Sequence, residues 1–362
     1  MTRFPPLSGS VRPVRGWSLV RRCAGLALGL SLVLAPALAA SALAALRPAK
    51  PALWVVRDAD TTLYLFGTVH LLPKDLGWFD AEVAKAFQAS HELKLELLPQ
   101  QDPTALAPLI IQHALDPSGR TMAQRLNPTD HAAYVQALQR LGLPAEAMEP
   151  MEPWFVSVTT AALLYAKAGL DPENGVETVL AKAARQAGKP ISALETPEQQ
   201  FSLLEATPEA EQLAMLQNLI QRPEEAQSLT RKIVDVWARG DAEATGSLLN
   251  ENMKRAPQTS RVLLTERNLR WVQQLQQRLA RPGVVFVAVG AGHLTGANSV
   301  QELLRKAGLQ VERIRGTSQR RSTILLNHFA AGLERRLAQR SAAWPCRWAR
   351  ERCTGLHSPS SC

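Results

Sequence analysis

Two histidines stand in matching contexts more than two hundred residues apart. Each comes three positions after a glycine that ends an apolar run, in the phrase G-T-V-H that ends at His70 and the phrase G-A-G-H that ends at His293. Histidine is the commonest metal ligand in proteins and titrates near neutral pH. A single histidine beside a strand is commonly a hydrogen-bonded structural residue, but the repeated context indicates that His70 and His293 share one site.

Two glutamates follow other candidate strands. Glu96 lies near the end of the alternating run 92–97, and Glu195 ends the run 190–195. Open α/β sheets bind ligands beyond the carboxyl ends of their strands. Two imidazoles and two carboxylates at such an edge suit a divalent cation such as manganese, cobalt or zinc, which can activate a bound water molecule. The predicted metal ligands are His70, Glu96, Glu195 and His293.

Arg267 is a further candidate, in the phrase E-R-N on a predicted helix. Its guanidinium could hold the substrate or an oxyanion. We predict that one of Glu96 and Glu195 is a metal ligand and that the other acts as the general base. The alternatives are a solvent-facing arginine and two solvated strand-end carboxylates. Glu177, in the phrase G-V-E, either adds an acid near the site or starts a helix.

Several catalytic signatures are absent from the sequence. It contains no H-E-x-x-H, no G-x-S-x-G and no Walker lysine after its glycine-rich strand end. Residues 47–315 contain no cysteine, which excludes thiolate nucleophiles and thiolate zinc ligands from this part of the chain. A metal site must therefore be assembled by tertiary structure from distant histidines and carboxylates.

The apolar pattern predicts an α/β fold with a mixed sheet and flanking helices. Two β-rich runs around a short polar turn predict an N-terminal hairpin. The apolar run 284–289 is typical of a strand buried on both faces, and 311–314 is typical of an edge strand. Two helical stretches, 103–187 and 197–253, would be insertions between the sheet strands. A long helix is predicted over 260–280.

Charge is segregated at the two ends of the chain. The formal net charge is +9; residues 1–46 contribute +5 and residues 317–362 contribute +6, so the part between them carries −2. A nearly neutral body gives no indication of nucleic-acid binding, in spite of the basic overall composition.

The first residues are typical of an export signal. Basic residues up to Arg22 precede an apolar run and A-x-A-type sites. We predict a signal peptide over 1–46 and an exported, periplasmic or extracytoplasmic α/β domain over 47–316. The alternative is an uncleaved segment that anchors the chain to a membrane. The arginine-rich tail, 317–362, is predicted to be a poorly ordered extension.

An ordered set of phrases resembles the TraB/PrgY/GumN family, which is similar to the Tiki-type metalloproteases. The phrases are L-Y-L-F-G-T-V-H, L-K-L-E-L, P-W, G-V-E, L-E-T-P-E-Q-Q, E-R-N and V-A-V-G-A-G-H-L, in this order along the chain. The resemblance implies a fold akin to the erythromycin-esterase (EreA) and ChaN-like proteins. It also implies that His70, His293 and Glu96 are essential, followed by Glu195. The sequence departs from many relatives at Glu177, where they have aspartate.

For the Tiki branch, the resemblance implies metal-dependent peptide hydrolysis. We therefore predict an exported metal-dependent hydrolase that acts on a peptide or a small molecule with Mn, Co or Zn. One alternative is a non-catalytic protein that binds haem or another ligand through the same histidines. The other is a protein that sequesters a peptide. A Soret band would favour the haem binder, and peptide binding without cleavage would favour the sequestering protein.

Overall fold

The computed structural model describes residues 46–79, 81–99 and 102–315. The predicted signal segment, except for its last residue, and the predicted tail lie outside these ranges. The centre is a six-stranded mixed sheet with helices on both faces, as the α/β prediction requires. Its strands are β2 (Leu53–Arg57), β3 (Thr61–Thr68), β5 (Glu92–Leu95), β6 (Ile191–Ala193), β7 (Gly283–Gly290) and β8 (Val311–Ile314). Two further short strands, β1 (Arg47–Pro48) and β4 (Leu76–Gly77), pair with each other in parallel.

The strand order is β6-β5-β7-β3-β2-β8. Only β2 runs against its neighbours, because it forms a hairpin with β3 and pairs antiparallel with β8. The Asp58 carboxylate closes the hairpin turn by accepting from the Thr61 N–H at 2.7 Å. The predicted N-terminal hairpin and the predicted edge strand are both confirmed.

The parallel pairing of β3 with β7 sets the level at which the two G-x-x-H phrases leave the sheet. In this pairing Thr68 lies opposite Gly290. Strands β5 and β6 run parallel to β7, so the chain leaves all four strands at the same edge. Because each strand is followed by one of the predicted residues, this register brings distant parts of the sequence to one place.

The two faces of the sheet bury separate hydrophobic clusters. Phe66 and Phe286 point to one face, where their rings pack 5.8 Å apart beside Trp78 and Trp237. Alternate residues of β3 and β7, such as Leu65 and Val287, point to the other face. β7 is therefore buried on both faces, as its continuous apolar run predicts.

Helical segments separate the strands. The first insertion, between β5 and β6, contains α2 (Ala107–Ala114), α3 (Met122–Arg125), α4 (Pro128–Leu141), α5 (Ala145–Met148), α6 (Pro153–Lys167) and α7 (Val176–Gln186). The second, between β6 and β7, contains α8 (Pro197–Glu205), α9 (Glu209–Gln221), α10 (Pro223–Ala238), α11 (Ala242–Leu249), α12 (Pro257–Ser260) and α13 (Glu266–Leu279). Helix α1 (Ala81–Ala89) precedes β5, and α14 (Val300–Lys306) precedes β8. Two helical insertions were predicted, and both are confirmed.

The predicted long helix over 260–280 differs from the structure at its start. A π-helical turn, Arg261–Thr265, separates α12 from α13. Apolar periodicity cannot distinguish an α-helical turn from a wider π turn, since both place side chains on one face over so short a span. In the described part of the chain, no helix is both long and apolar enough to span a bilayer.

Candidate active site

Arg267 is the centre of a buried polar cluster at the carboxyl edge of the sheet. Its side chain is 7% exposed. Nε donates to the two carboxylate oxygens of Glu195 at 3.1 and 3.0 Å, and Nη2 lies 2.9 Å from Glu195 Oε2. Nη2 also donates to Glu96 Oε1. One guanidinium therefore holds two glutamates that follow neighbouring strands.

The remaining guanidinium nitrogen faces the second G-x-x-H phrase. Arg267 Nη1 donates to the Leu263 carbonyl at 3.2 Å, inside the π turn, and lies 3.2 Å from His293 Nε2. All three guanidinium nitrogens thus have partners within the protein. The prediction that Arg267 holds a substrate or an oxyanion would require it to give up one of these contacts.

His293 is held through its other ring nitrogen. Nδ1 lies 2.6 Å from Asn268 Oδ1, and the Asn268 amide nitrogen donates to the Asn298 carbonyl at 2.7 Å, which fixes the orientation of the amide. An amide oxygen only accepts, so the proton is on Nδ1 and the Nε2 lone pair faces Arg267. Burial, and then the nearby Arg267 charge, lower the pKa of His293 to about 4 although Glu96 opposes the shift. His293 is therefore neutral at pH 7.

His70 is held in the same way by a charged partner. Its Nδ1 lies 2.7 Å from Glu177 Oε1, at the first turn of α7, and its Nε2 has no hydrogen-bond partner among the described residues. The Glu177 carboxylate raises the pKa of His70 to about 9, with a smaller contribution from Glu96. The His70 side chain is 66% exposed, so water screens the pair.

Glu96 lies near His293 and couples electrostatically to His70. Oε2 accepts from the Gly290 N–H at 2.8 Å, and Oε1 lies 4.0 Å from His293 Nε2. Burial disfavours its charged form, but the neighbouring basic groups His293, Arg267 and His70 and the Gly290 N–H outweigh burial and lower the pKa of Glu96 to about 2. Glu96 is therefore a carboxylate at any physiological pH.

Glu195 is bound more completely than Glu96. Besides Arg267, the Trp271 indole N–H donates to Oε1 at 3.0 Å, and Arg270 Nη2 lies 3.7 Å from the same oxygen. The centroid of the Trp271 ring lies 4.4 Å from the centroid of the His293 ring. It lies 4.7 Å from Arg267 Cζ. Glu195 thus anchors Arg267, while Trp271 covers both Arg267 and His293.

Backbone contacts fix the strand ends that carry these groups. Gly175 precedes α7 and lies against His70: a Cβ at Gly175 would be 2.0 Å from the His70 carbonyl oxygen. The Val176 N–H donates to the Val69 carbonyl at 3.2 Å. This close approach places Glu177 beside the imidazole. Near Glu195, Thr196 and Gln199 form a capping box that starts α8 directly after the glutamate.

A cavity of about 360 Å³ opens beside Glu195, between α8 and α13. Its walls combine apolar and polar side chains. They are Leu194, Glu195, Glu198, Gln199, Ser202, Leu203, Arg270 and Gln274. A second space, of about 10 Å³, is too small for a ligand larger than a water molecule. The cavity at Glu195 is therefore the larger of the two and shares a residue with the polar cluster.

The structure brings Glu96, Glu195, Arg267 and His293 into direct contact. His70 couples electrostatically to Glu96 and pairs with Glu177. Sequence reasoning missed the contributions of Asn268, Trp271 and the Gly290 N–H. Asn268 belongs to the E-R-N phrase and Trp271 follows it on the same helix, which was the available signal. The hydrogen bond from Gly290 has no signal in the sequence.

The donor chemistry of the cluster fits a divalent cation, although the conformation is closed. Among the described residues, no three His, Cys, Asp or Glu side chains converge closely enough to hold an ion. The Arg267 guanidinium lies against two of the donor atoms. However, each imidazole has Nδ1 fixed by an oxygen acceptor, which is how proteins orient metal-ligating histidines. The residues whose donor chemistry would suit the ion are His70, His293 and Glu96, which the closed conformation does not bring together as a set of three ligands.

Comparison with known proteins gives a family and distant relatives. The model of the TraB/PrgY/gumN family matches residues 52–313. The "Uncharacterized protein YbaP" of Escherichia coli (strain K12) is 25% identical over 255 residues, which cover 70% of this chain and 92% of that protein. An "Uncharacterized protein" of Treponema pallidum (strain Nichols) is 24% identical over 272 residues, 71% of this chain and 80% of that protein. No solved structure matches at a significant level.

Proposed function

The chain belongs to the TraB/PrgY/gumN family, and from this membership and the geometry of its polar cluster we propose that it is a metal-dependent hydrolase. His70 and His293 would hold the divalent cation (Mn, Co or Zn) through Nε2, and Glu96 would complete the ligand set. The substrate is a peptide or a small molecule. The same proposal includes export to the periplasm or another extracytoplasmic space. Residues 1–46 would direct this export and then be either cleaved or kept as a membrane anchor.

The matched orientation of the two imidazoles is the observation that carries this proposal. Each has an oxygen acceptor at Nδ1, Glu177 at 2.7 Å and Asn268 at 2.6 Å, so each presents Nε2. A structural histidine needs only one satisfied nitrogen, whereas two distant histidines prepared alike on neighbouring strands support a shared ligand. The low pKa of Glu96 supports a permanently charged ligand between them.

The residues around the ligands have separate roles. A bound divalent cation would supply a Lewis acid and an activated water molecule. Glu96 neutralises charge and accepts from the Gly290 N–H, which holds the carboxylate in place. Glu195 already accepts from Arg267 Nε and from the Trp271 indole N–H, so its oxygens are occupied and we assign it to positioning Arg267 rather than to taking a proton. The cavity beside Glu195 is wide enough to hold substrate side chains.

The test is hydrolysis by the full-length purified chain. A mixture of short peptides is incubated with the protein and Mn²⁺, Co²⁺ or Zn²⁺, and products are identified by mass spectrometry. Cleavage should require the metal, stop with a chelator, and be lost in His70→Ala and His293→Ala. His113→Ala is the control, because His113 also pairs with a glutamate, Glu205 at 2.8 Å, but lies on α2 in the first insertion.

The proposal is contradicted if cleavage persists in both histidine variants at the wild-type rate. Stable peptide binding with no product under all three metals would support the sequestering alternative. A Soret band in the purified protein, with no stoichiometric transition metal, would support the haem-binding alternative.

A further inference from the structure

We infer that the Arg267 guanidinium competes with the cation for His293 and Glu96. It must release both side chains before a divalent ion binds, and this competition sets the affinity of the site. This inference rests on the proposed function, since it concerns the same ligand atoms. It adds a role for Arg267 that differs from holding a substrate.

The competition follows from which atoms the guanidinium uses. Arg267 Nη1 lies 3.2 Å from His293 Nε2, and Nη2 donates to Glu96 Oε1. His293 Nδ1 is engaged by Asn268, so Nε2 is the nitrogen left for a metal. A lone pair that accepts an N–H from a guanidinium cannot coordinate an ion at the same time. The closed conformation and the loaded site are therefore mutually exclusive.

A second set of contacts would keep Arg267 in the site after release. Nε is bound to both oxygens of Glu195, and the guanidinium lies over the Trp271 ring at 4.7 Å. Neither of these contacts uses His293 or the Glu96 carboxylate. Nη1 and Nη2 can therefore leave His293 and Glu96 while Nε stays bound to Glu195, although this movement also breaks the contact of 2.9 Å between Nη2 and Glu195 Oε2.

The π turn before α13 supplies a further contact for the closed position. Arg267 Nη1 also donates to the Leu263 carbonyl at 3.2 Å, within Arg261–Thr265. π turns inside helices recur at functional sites, where they alter the local backbone register. Here the turn places a backbone acceptor next to the arginine that must move.

Charge balance explains why a competitor is needed. Glu96 and Glu195 are both buried, at 7% exposure each, and face one guanidinium. Without a cation, two buried carboxylates would be costly unless a positive group lay between them. Arg267 provides that charge until an ion replaces it at Glu96. The ion-free protein is then stable, and weakly bound ions are excluded.

Equilibrium binding of Mn²⁺ to the full-length chain tests the inference without any assay of activity. Free Mn²⁺ is measured by electron paramagnetic resonance for the wild type, Arg267→Gln and Arg270→Gln. Arg270 is the matched control: it lies on the same helix, 3.7 Å from Glu195, and neither Glu96 nor His293 is among its partners. We expect Arg267→Gln to bind Mn²⁺ at least about tenfold more tightly than the wild type, a factor that corresponds to ~1.4 kcal/mol, and Arg270→Gln to bind like the wild type.

Arg267→Gln leaves two buried carboxylates without a counter-charge and lowers the stability of the fold. Arg267→Lys is therefore measured in parallel. It keeps the positive charge but loses the planar fork that reaches both acceptors, so its affinity for Mn²⁺ should exceed that of the wild type. If Arg267→Lys binds Mn²⁺ as tightly as the wild type or more weakly, the inference is overturned, even if Arg267→Gln does not fold.

The outcomes separate the inference from the proposed function. If wild type and Arg267 variants bind Mn²⁺ equally, or the variants bind more weakly, the competitor role is wrong while the metal site stands. If the wild type does not bind but Arg267→Gln does, the inference is supported in its strongest form. If neither the wild type nor any variant binds, both the metal site and the competitor role are wrong.

Discussion

The two histidines of the site are oriented alike but are given opposite proton affinities. His70 faces the Glu177 carboxylate, which stabilises the imidazolium and raises the pKa to about 9. His293 faces the neutral Asn268 amide and is buried, so its pKa falls to about 4. In the ion-free protein at neutral pH, one ring is therefore charged and the other is neutral. The Glu177 charge decides the protonation state of His70, and burial decides that of His293.

Glu177→Gln tests this account of His70. Loss of the carboxylate charge should move the pKa of His70 down towards its ordinary value of 6.5. The measurement is an NMR titration of the His70 ring protons in the ion-free protein. Glu205→Gln is the control, because Glu205 makes a similar histidine contact, with His113, in another part of the fold. An unchanged His70 titration in Glu177→Gln would contradict the account.

At the scale of elements, the site depends on the register of two parallel strands and on the start of one helix. β3 and β7 pair so that the G-x-x-H phrases leave the sheet at the same level. α7 begins directly against the first phrase, with Gly175 touching the His70 backbone. A side chain at position 175 would collide with the His70 carbonyl oxygen, so this approach needs glycine.

Gly175→Ala should therefore displace the start of α7 and separate Glu177 from His70. The expected result is a lower pKa of His70 in an NMR titration and weaker Mn²⁺ binding. Gly188→Ala is the matched control, since Gly188 follows the end of the same helix at φ +64° and a Cβ there meets nothing within 4 Å. That control should cost roughly 1–2 kcal/mol of stability through its left-handed backbone and leave His70 unchanged. Equal effects of the two substitutions on His70 would contradict the role of Gly175.

The elements that could be predicted from the sequence are those with local signals. The hairpin, the buried strand β7 and the two insertions follow from apolar runs and turn residues, and so does the common edge that receives His70, Glu96, Glu195 and His293. The π turn could not be predicted, because its side-chain spacing differs too little from that of an α-helix over five residues. The full engagement of Arg267 was also missed, since all its partners but one lie far away in the chain.

At the scale of the whole molecule, the buried polar cluster makes stability depend on pH. The unfolded His293 imidazole has a pKa near 6.5, whereas the folded pKa is about 4. Between these two pKa values the unfolded state binds more protons than the native state. The free energy of unfolding therefore increases with pH in this range and decreases as the pH falls from 6.5 to 4. Burial of the neutral imidazole thus lowers the stability of the native state as the pH falls below 6.5.

The contribution of His293 to this loss should be on the order of 3 kcal/mol, from the size of the pKa shift. Urea unfolding of the ion-free protein at pH 7 and pH 4.5 measures it, in the wild type and in His293→Asn. The variant should be less stable at pH 7 but lose less free energy of unfolding on acidification. The same loss in both proteins would show that His293 is not the group responsible.

The whole-molecule organisation explains why the site could be only partly predicted. Four of its residues, His70, Glu96, Glu195 and His293, follow strand ends, which sequence pattern and topology rules can locate. The contacts between them come from α13, which carries Arg267, Asn268 and Trp271, and from α7, which carries Glu177. How these two helices dock at the edge is not encoded in a local pattern. The sequence thus predicted which residues meet at the edge, and only the structure shows that Arg267 lies among them in a closed conformation.

Anomalous diffraction from crystals of the full-length chain soaked in Mn²⁺, with a parallel soak in Zn²⁺, tests the central claim most directly. The account predicts one anomalous peak within coordination distance, ~2.0–2.2 Å for zinc, of Nε2 of both His70 and His293, with Glu96 as a further ligand and Arg267 Nη1 displaced from His293. A peak bound to only one of the two histidines, or no peak at this edge at saturating metal, would contradict it.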